Sequence, residues 1–173
     1  MKILHFVLCS FLLVTFGHVE CDASEPGRND DEKNIRSARL IFNQAIRDQD
    51  VSTISSFFAP GYHIVTGRSQ QSHGIAAERG TWESIFAIDP GFVCQRDTRE
   101  LRINQDWGLA EELGDWNCYY TVEGEATHAS GVYAAKWQRA VDSSWLIQSE
   151  VFTTMACKGS TIGCKRPDAI ESN

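Results

Sequence analysis

Acid/base chemistry in this 173-residue chain would rest on few side chains: the Tyr133 phenol, the Glu150 carboxylate and the His73 imidazole. Glu150 stands mid-strand between Ser149 and Val151. Buried there, it would have a raised pKa and serve as a proton donor or acceptor, with His63 or His73 as partner. The preferred reading is plainer: an outward Glu150, solvated or ion-paired with Lys136 or Arg139. Tyr133 and Tyr62 read first as core aromatics whose hydroxyls reach a backbone partner. His73 precedes Gly74 at the start of a helix and can bind backbone there. Glu111 and Glu112 are expected on the outer sheet surface, because adjacent strand residues point to opposite faces and form no dyad. His63 and His128 read as exposed and lack metal-ligand spacing, so neither a metal nor a cofactor is expected.

A binding site is the stronger expectation. If Thr66 points inward, the period of two along a strand sends Tyr62 and Ile64 inward with it. Tyr62, Thr66, Tyr133 and Ser149 would then floor a pocket walled by Phe42, Trp82 and Trp137. Such a cavity suits a small apolar or aromatic molecule bearing one or two polar groups. The tryptophans are packing residues first, whatever else they touch.

These residues need elements to hold them. Ile35, Ala38, Ile41, Phe42, Ala45 and Ile46 recur at helical spacing, with Arg36, Arg39, Arg47 and Asp48 on the other side. Asp50 can cap a short second helix over 51–58, which Pro60-Gly61 ends. Tyr62 to Thr66 has strand composition. Gly74 to Ile88 predicts a third helix, with Ile75, Trp82, Ile85 and Phe86 as its stripe. Four long strands follow, near 92–103, 108–122, 127–140 and 144–156, separated by turn-forming residues. Gly114-x-Trp116, Gly131-x-Tyr133-x-x-x-Trp137 and Trp145-x-Ile147 give these strands one thick apolar face that something must cover.

Composition narrows the setting. A 42% hydrophobic chain of this length builds one core, so one domain is expected over 33–157, after a flexible polar linker (24–32) and before a C-terminal tail (158–173). Lys2 precedes an apolar run from Ile3 to Phe16, too short to span a bilayer and suited to a signal-peptide core over 1–23. Cleavage is expected after Ala23, or else after Gly17, which predicts a secreted or periplasmic protein. The formal net charge is −7, and this acidic balance argues against nucleic acid and anionic membrane as partners. Cleavage leaves Cys94, Cys118, Cys157 and Cys164, which allow three pairings. Cys94 with Cys118 on neighbouring strands and Cys157 with Cys164 is the preferred one, free buried thiols being the alternative.

The order helix, short helix, strand, helix, four long antiparallel strands resembles the nuclear transport factor 2-like superfamily. Its SnoaL-like and ketosteroid-isomerase-like branch is the nearest in look, together with uncharacterised calcium/calmodulin-kinase-association-domain-like members. Asp50-Val51-x-x-Ile54-x-x-Phe57-Phe58-Ala59-Pro60 leading into Tyr62 to Thr66, His73-Gly74, and the strand motifs above carry the likeness, from about Ile35 to Met155. The resemblance implies an α+β fold, a bent antiparallel sheet wrapped as a cone around three N-terminal helices. It also implies pairing of the chain with itself as a homodimer through the outer sheet face. An exposed Trp116, Tyr120 or Phe152 would mark that face, and a charged face would not.

The same resemblance tests the isomerase chemistry. It places Thr66 where ketosteroid isomerase has its general base, Phe42 at the tyrosine of helix one and Tyr133 at the strand carboxylic acid. A threonine hydroxyl does not abstract that proton near neutral pH. The expected function is therefore an exported small-molecule-binding or assembly domain with an apolar cavity and no recognisable catalytic set. The alternative is a dehydratase, cyclase or isomerase acting on a small hydrophobic substrate, which requires a carboxylate or imidazole to reach the cavity.

Overall fold

A computed structural model describes residues 26–169. The signal-peptide expectation and both cleavage points lie outside these residues. Helices α1 (Pro26–Arg47) and α2 (Val51–Ser56) lead into strands β1 (Phe58–Val65) and β2 (Gln71–His73), which helix α3 (Ile75–Ile88) follows. The chain then runs through β3 (Val93–Asn104), β4 (Leu109–Val122), β5 (Glu125–Arg139) and β6 (Trp145–Lys158). One six-stranded sheet results, in the order β2-β1-β6-β5-β4-β3. All neighbours are antiparallel except β1 and β6, which run parallel. This is the expected α+β arrangement, with the short edge strand β2 added.

Helix α1 begins well before the expected boundary. Residues 26–32 are helical rather than a flexible linker, and proline is tolerated in a first helical turn. Asp31 fixes this turn: its carboxylate accepts from Trp145 Nε1 at 3.1 Å and pairs with Arg139. The inward face of α1 also differs from expectation. Ile35, Arg39, Phe42, Asn43 and Ile46 are buried, while Leu40 and Ile41 are exposed. Arg39 shares the spacing of the apolar residues, and buried carboxylates await it. Asp50 caps α2 as expected, its side chain accepting from Thr53 N at 3.0 Å.

Bulges bend the sheet around α1. The β5–β6 register slips between Lys136 and Trp137, leaving Gln148 as an extra residue on β6. A bulge adds a residue to one strand and increases its local twist. Here it also reverses the alternation: Trp145 and Ile147 face the core before it, Glu150 and Phe152 after it. Ser149 consequently turns to the outer face, against the inward placement that an unbroken period of two predicts.

Both expected disulfides are present. Cys94–Cys118 joins directly opposite residues of β3 and β4, and Cys157–Cys164 ties the end of β6 to the tail. Among the described residues, no helix is long and apolar enough to cross a membrane.

Candidate functional site

Ionised groups occupy the heart of the cone. Arg39 on α1 donates to Glu112 on β4, Nη2 to Oε2 at 2.7 Å and Nε to Oε1 at 3.1 Å. Its Nη1 lies 3.0 Å from Glu150 Oε1 on β6, and Arg96 Nε on β3 lies 3.5 Å from the same oxygen. Both glutamates are fully buried. Glu112 also accepts from Thr98 Oγ1 at 2.6 Å, Tyr133 OH at 2.7 Å and Trp137 Nε1 at 2.7 Å. Glu150 accepts from Tyr62 OH at 2.8 Å. Burying ions costs several kcal/mol each unless partners replace the lost water, and this network supplies them.

Two expectations are corrected here. Glu150 is no solvated outward residue: it is sealed in the core with Arg39, Arg96 and Tyr62, because the Gln148 bulge turns it inward. Glu112 is likewise no outer-surface residue; Glu111 takes the outer face and pairs with exposed Arg102, so alternation sends Glu112 in. Tyr133 and Tyr62 donate to carboxylates rather than to backbone.

The charge states follow from the partners. Burial opposes ionisation of Glu112, but the Arg39 charge and the hydrogen bonds from Arg39, Thr98 and Tyr133 outweigh it and hold the pKa at about 2. Burial also opposes the Arg39 charge, yet Glu112 and Glu150 leave it above its ordinary value. Burial, reinforced by the neighbouring carboxylates, pushes the Tyr62 phenol well up. The Tyr133 phenol is raised by burial too, against the opposing pull of Arg39.

Beside this network lies a cavity of ≈ 430 Å³ between α3 and the inner sheet face. Trp82, Ile85, Phe92, Trp116 and Phe152 make its apolar wall, Glu78 and Arg96 its charged lining, and Thr66, Gln70, Gln71, Ser72 and Thr81 its uncharged polar lining. Arg96 is 6% exposed and Glu78 3% exposed. Arg96 is held from behind: its backbone N–H donates to Asn43 Oδ1 at 3.0 Å and its carbonyl accepts from Asn43 Nδ2 at 2.8 Å. Its guanidinium packs over the rings of Phe42, Phe152 and Trp82 at 5.0 to 5.9 Å, a favourable cation–π setting. Among the described residues, Arg96 Nη1, Glu78 Oε2 and Trp82 Nε1 have no hydrogen-bond partner. These three atoms belong to residues that line the cavity but are themselves covered, so they add polarity beside it rather than open hydrogen-bonding positions. Burial raises the Glu78 pKa, a hydrogen bond from Ser72 partly offsets this, and Glu150 and Arg96 add smaller opposing effects. Arg39 and Arg96 already balance Glu112 and Glu150, so a fifth buried charge on Glu78 would be unpaired.

Of the residues expected to line a pocket, Thr66 and Trp82 do so. Phe42, Tyr62, Tyr133 and Trp137 are sealed in the core, and Ser149 lines a depression on the outer face with Lys136 and Val151. Thr66 Oγ1 accepts from Gln70 N at 3.1 Å and so also shapes the β1–β2 turn. His73 is exposed on β2, its ring 5.9 Å from that of His63, and neither histidine lines the cavity. Among the described residues no group of three His, Cys, Asp or Glu side chains is placed to hold a metal. Trp116 and Phe152 face inward rather than forming an outer apolar patch. The exposed ion pairs Arg99–Asp115 and Arg102–Glu111 are carried by the β3–β4 ladder.

Glu78 and Arg96 are the residues that sequence reasoning missed. Glu78 falls on the stripe of Ile75, Trp82 and Ile85, which was the available signal.

A cone with helices over its concave face and a cavity beside α3 has counterparts among solved structures. A putative scytalone dehydratase from Novosphingobium aromaticivorans is 12% identical, with 83% of this chain and 97% of that chain covered and a TM-score of 0.69. A ketosteroid isomerase-like protein from Erwinia carotovora atroseptica is 12% identical, with 74% and 98% covered and a TM-score of 0.63. A nuclear transport factor 2-like protein with a cystatin-like fold from Novosphingobium aromaticivorans is 11% identical, with 77% and 92% covered and a TM-score of 0.62. The fold is the nuclear transport factor 2-like one. At these identities the likeness concerns the fold alone. No protein-family model matches the chain, and no curated protein matches its sequence. Within this nuclear transport factor 2-like cone, what the chain does must be read from its own cavity.

Proposed function

We propose that this chain is an exported domain that binds a small, largely apolar or aromatic molecule in the cavity beside α3. The observation that carries the reading is the cavity of ≈ 430 Å³ itself, in which an aromatic wall of Trp82, Phe92, Trp116 and Phe152 faces the buried Arg96 and Glu78 side chains. A ligand with one polar end would meet the Arg96 and Glu78 side of the cavity while its body packs on Trp116 and Phe152. The apolar run from Ile3 to Phe16 and the two disulfides support export. Native mass spectrometry of the secreted protein tests the binding. A mass excess that vanishes on denaturation is expected, and a bare chain that a broad library of apolar compounds also fails to stabilise would count against it.

One observation favours a second reading, catalysis of a dehydration or isomerisation. The Glu78 carboxyl lines the cavity, and burial favours its protonated form, which suits a general acid/base group. The variant E78Q should then still bind the recovered ligand but no longer convert it; equal conversion by both proteins would remove Glu78 from any mechanism.

A further inference from the structure

The cavity continues along the inner sheet face. Thr66, Gly67, Gln70, Trp116, Cys118 and Phe152 line both it and an adjoining groove of ≈ 680 Å³ between the β1–β2 turn and the C-terminal tail. The charged residues lining this groove are Arg68, Lys165 and Arg166. All three are exposed, and among the described residues none forms a salt bridge. Asp168 follows in the tail but does not line the groove. A rim of cations alone is unusual on a chain with a net charge of −7, and it draws anions toward the opening.

The rim is built in place. Lys165 and Arg166 directly follow Cys164, which the disulfide to Cys157 ties to the end of β6. Tyr120 OH donates to Gly163 O at 3.0 Å, and Cys164 N donates to Ser160 O at 2.9 Å. Arg68 approaches from the other side on a turn that Thr66 Oγ1 braces, and Thr154 Oγ1 donates to Gly67 O at 2.7 Å to hold that turn against β6.

Resting on the binding reading above, we propose that the ligand is an amphipathic anion: its apolar or aromatic body enters past Trp116 and Phe152, and its carboxylate, sulfate or phosphate meets Arg68, Lys165 and Arg166. The inner end then offers a donor and an acceptor to Glu78 and Arg96.

Two fluorescent probes separate the ideas. Anilinonaphthalene sulfonate and N-phenylnaphthylamine share an aromatic body, and the sulfonate belongs only to the first. At low ionic strength the full mature protein should bind the sulfonate about tenfold more tightly, as expected of exposed cations of the usual modest strength acting together. Added salt and the variant Arg68→Ala/Lys165→Ala/Arg166→Ala should each remove that difference while leaving N-phenylnaphthylamine binding unchanged. Equal affinities in the parent protein overturn the anionic ligand but leave the cavity reading intact. Binding of neither probe overturns the cavity reading itself. A difference that persists in the triple variant assigns the anion to Arg96 instead and overturns the rim. Because a lipid headgroup offers the same anion, sedimentation with phosphatidylglycerol vesicles forms a second arm. Vesicle binding lost in the triple variant would overturn the free amphiphile in favour of a membrane surface, and absence of vesicle binding supports the free molecule.

Discussion

Arg39 and Glu112, 73 residues apart, meet through a fork in which the guanidinium Nε and Nη2 reach both carboxylate oxygens at 2.7 to 3.2 Å. The pair fastens α1 to the centre of the sheet, together with the two hydrogen bonds between Asn43 and the Arg96 backbone and those that Asp31 accepts from Arg139 and Trp145. Removing one partner leaves the other charge buried and uncompensated. Glu112→Gln is therefore expected to cost about 3 to 5 kcal/mol in urea-induced unfolding. A loss below about 1 kcal/mol, the size typical of a surface pair, would show that water reaches the site.

The same carboxylate sets a pH dependence. Glu112 is held at about 2 against an ordinary value of 4.5. A depressed pKa contributes stability that is fully present above the unfolded value and is lost as pH falls through the folded one. The melting temperatures of the parent and of Glu112→Gln should therefore converge as pH falls from about 4.5 toward about 2. A gap that stays constant over that window would assign the difference to packing.

Glu78 works in the opposite sense. Its pKa is raised, chiefly by burial, so the folded state favours the protonated acid. The Glu78 contribution to stability is then greatest below the ordinary value of 4.5 and declines as pH rises through the folded value. Glu78→Gln, which keeps the shape without the charge, should melt above the parent near neutral pH and match it in acid. Calorimetry across that range decides; a variant less stable at neutral pH would mean that the ionised carboxylate is a needed partner of Arg96.

Two glycines predict opposite outcomes for one change. A Cβ on Gly131 would lie 1.9 Å from Thr153 O and 2.9 Å from Met155 N, both backbone atoms of β6. Gly131→Ala must then push β5 off β6 and is expected to cost about 1 to 3 kcal/mol or to prevent folding. A Cβ on Gly80, in the middle of α3, meets nothing within 4 Å. Gly80→Ala should stabilise by about 0.5 to 1 kcal/mol through helix propensity and a less free unfolded chain. Thermal unfolding of the two variants compares them, and a destabilised Gly80→Ala would contradict the open space beside α3.

Much of the fold was legible because apolar periodicity and turn residues are local. The ends of α3 and of the four long strands fall within a few residues of expectation; Cys94–Cys118 follows from strand neighbourhood and Cys157–Cys164 from closure of a short loop rich in Gly and Ser. The site was less so, because assigning charges to the surface is a rule about single residues, whereas Arg39, Glu112 and Glu150 are inside as a group. The signals existed. Glu112 shares strand parity with Ala110 and Trp116, and Arg39 shares helical spacing with Ile35, Phe42 and Ile46. Ser149 was not recoverable in this way, since the Gln148 bulge depends on how β5 and β6 pair and leaves no mark in the alternation of β6 alone.

The interlocked charges in the core also constrain how this chain can change over generations. Arg39, Arg96, Glu112 and Glu150 each answer to another member, so a single replacement strands a partner, whereas a wholly apolar replacement would need several substitutions at once. Lineages descending from this sequence should therefore keep the set or lose it together, and the permissible intermediates are few. Apart from Arg96, the walls of the neighbouring cavity carry less of that interdependence and are free to drift toward new ligands.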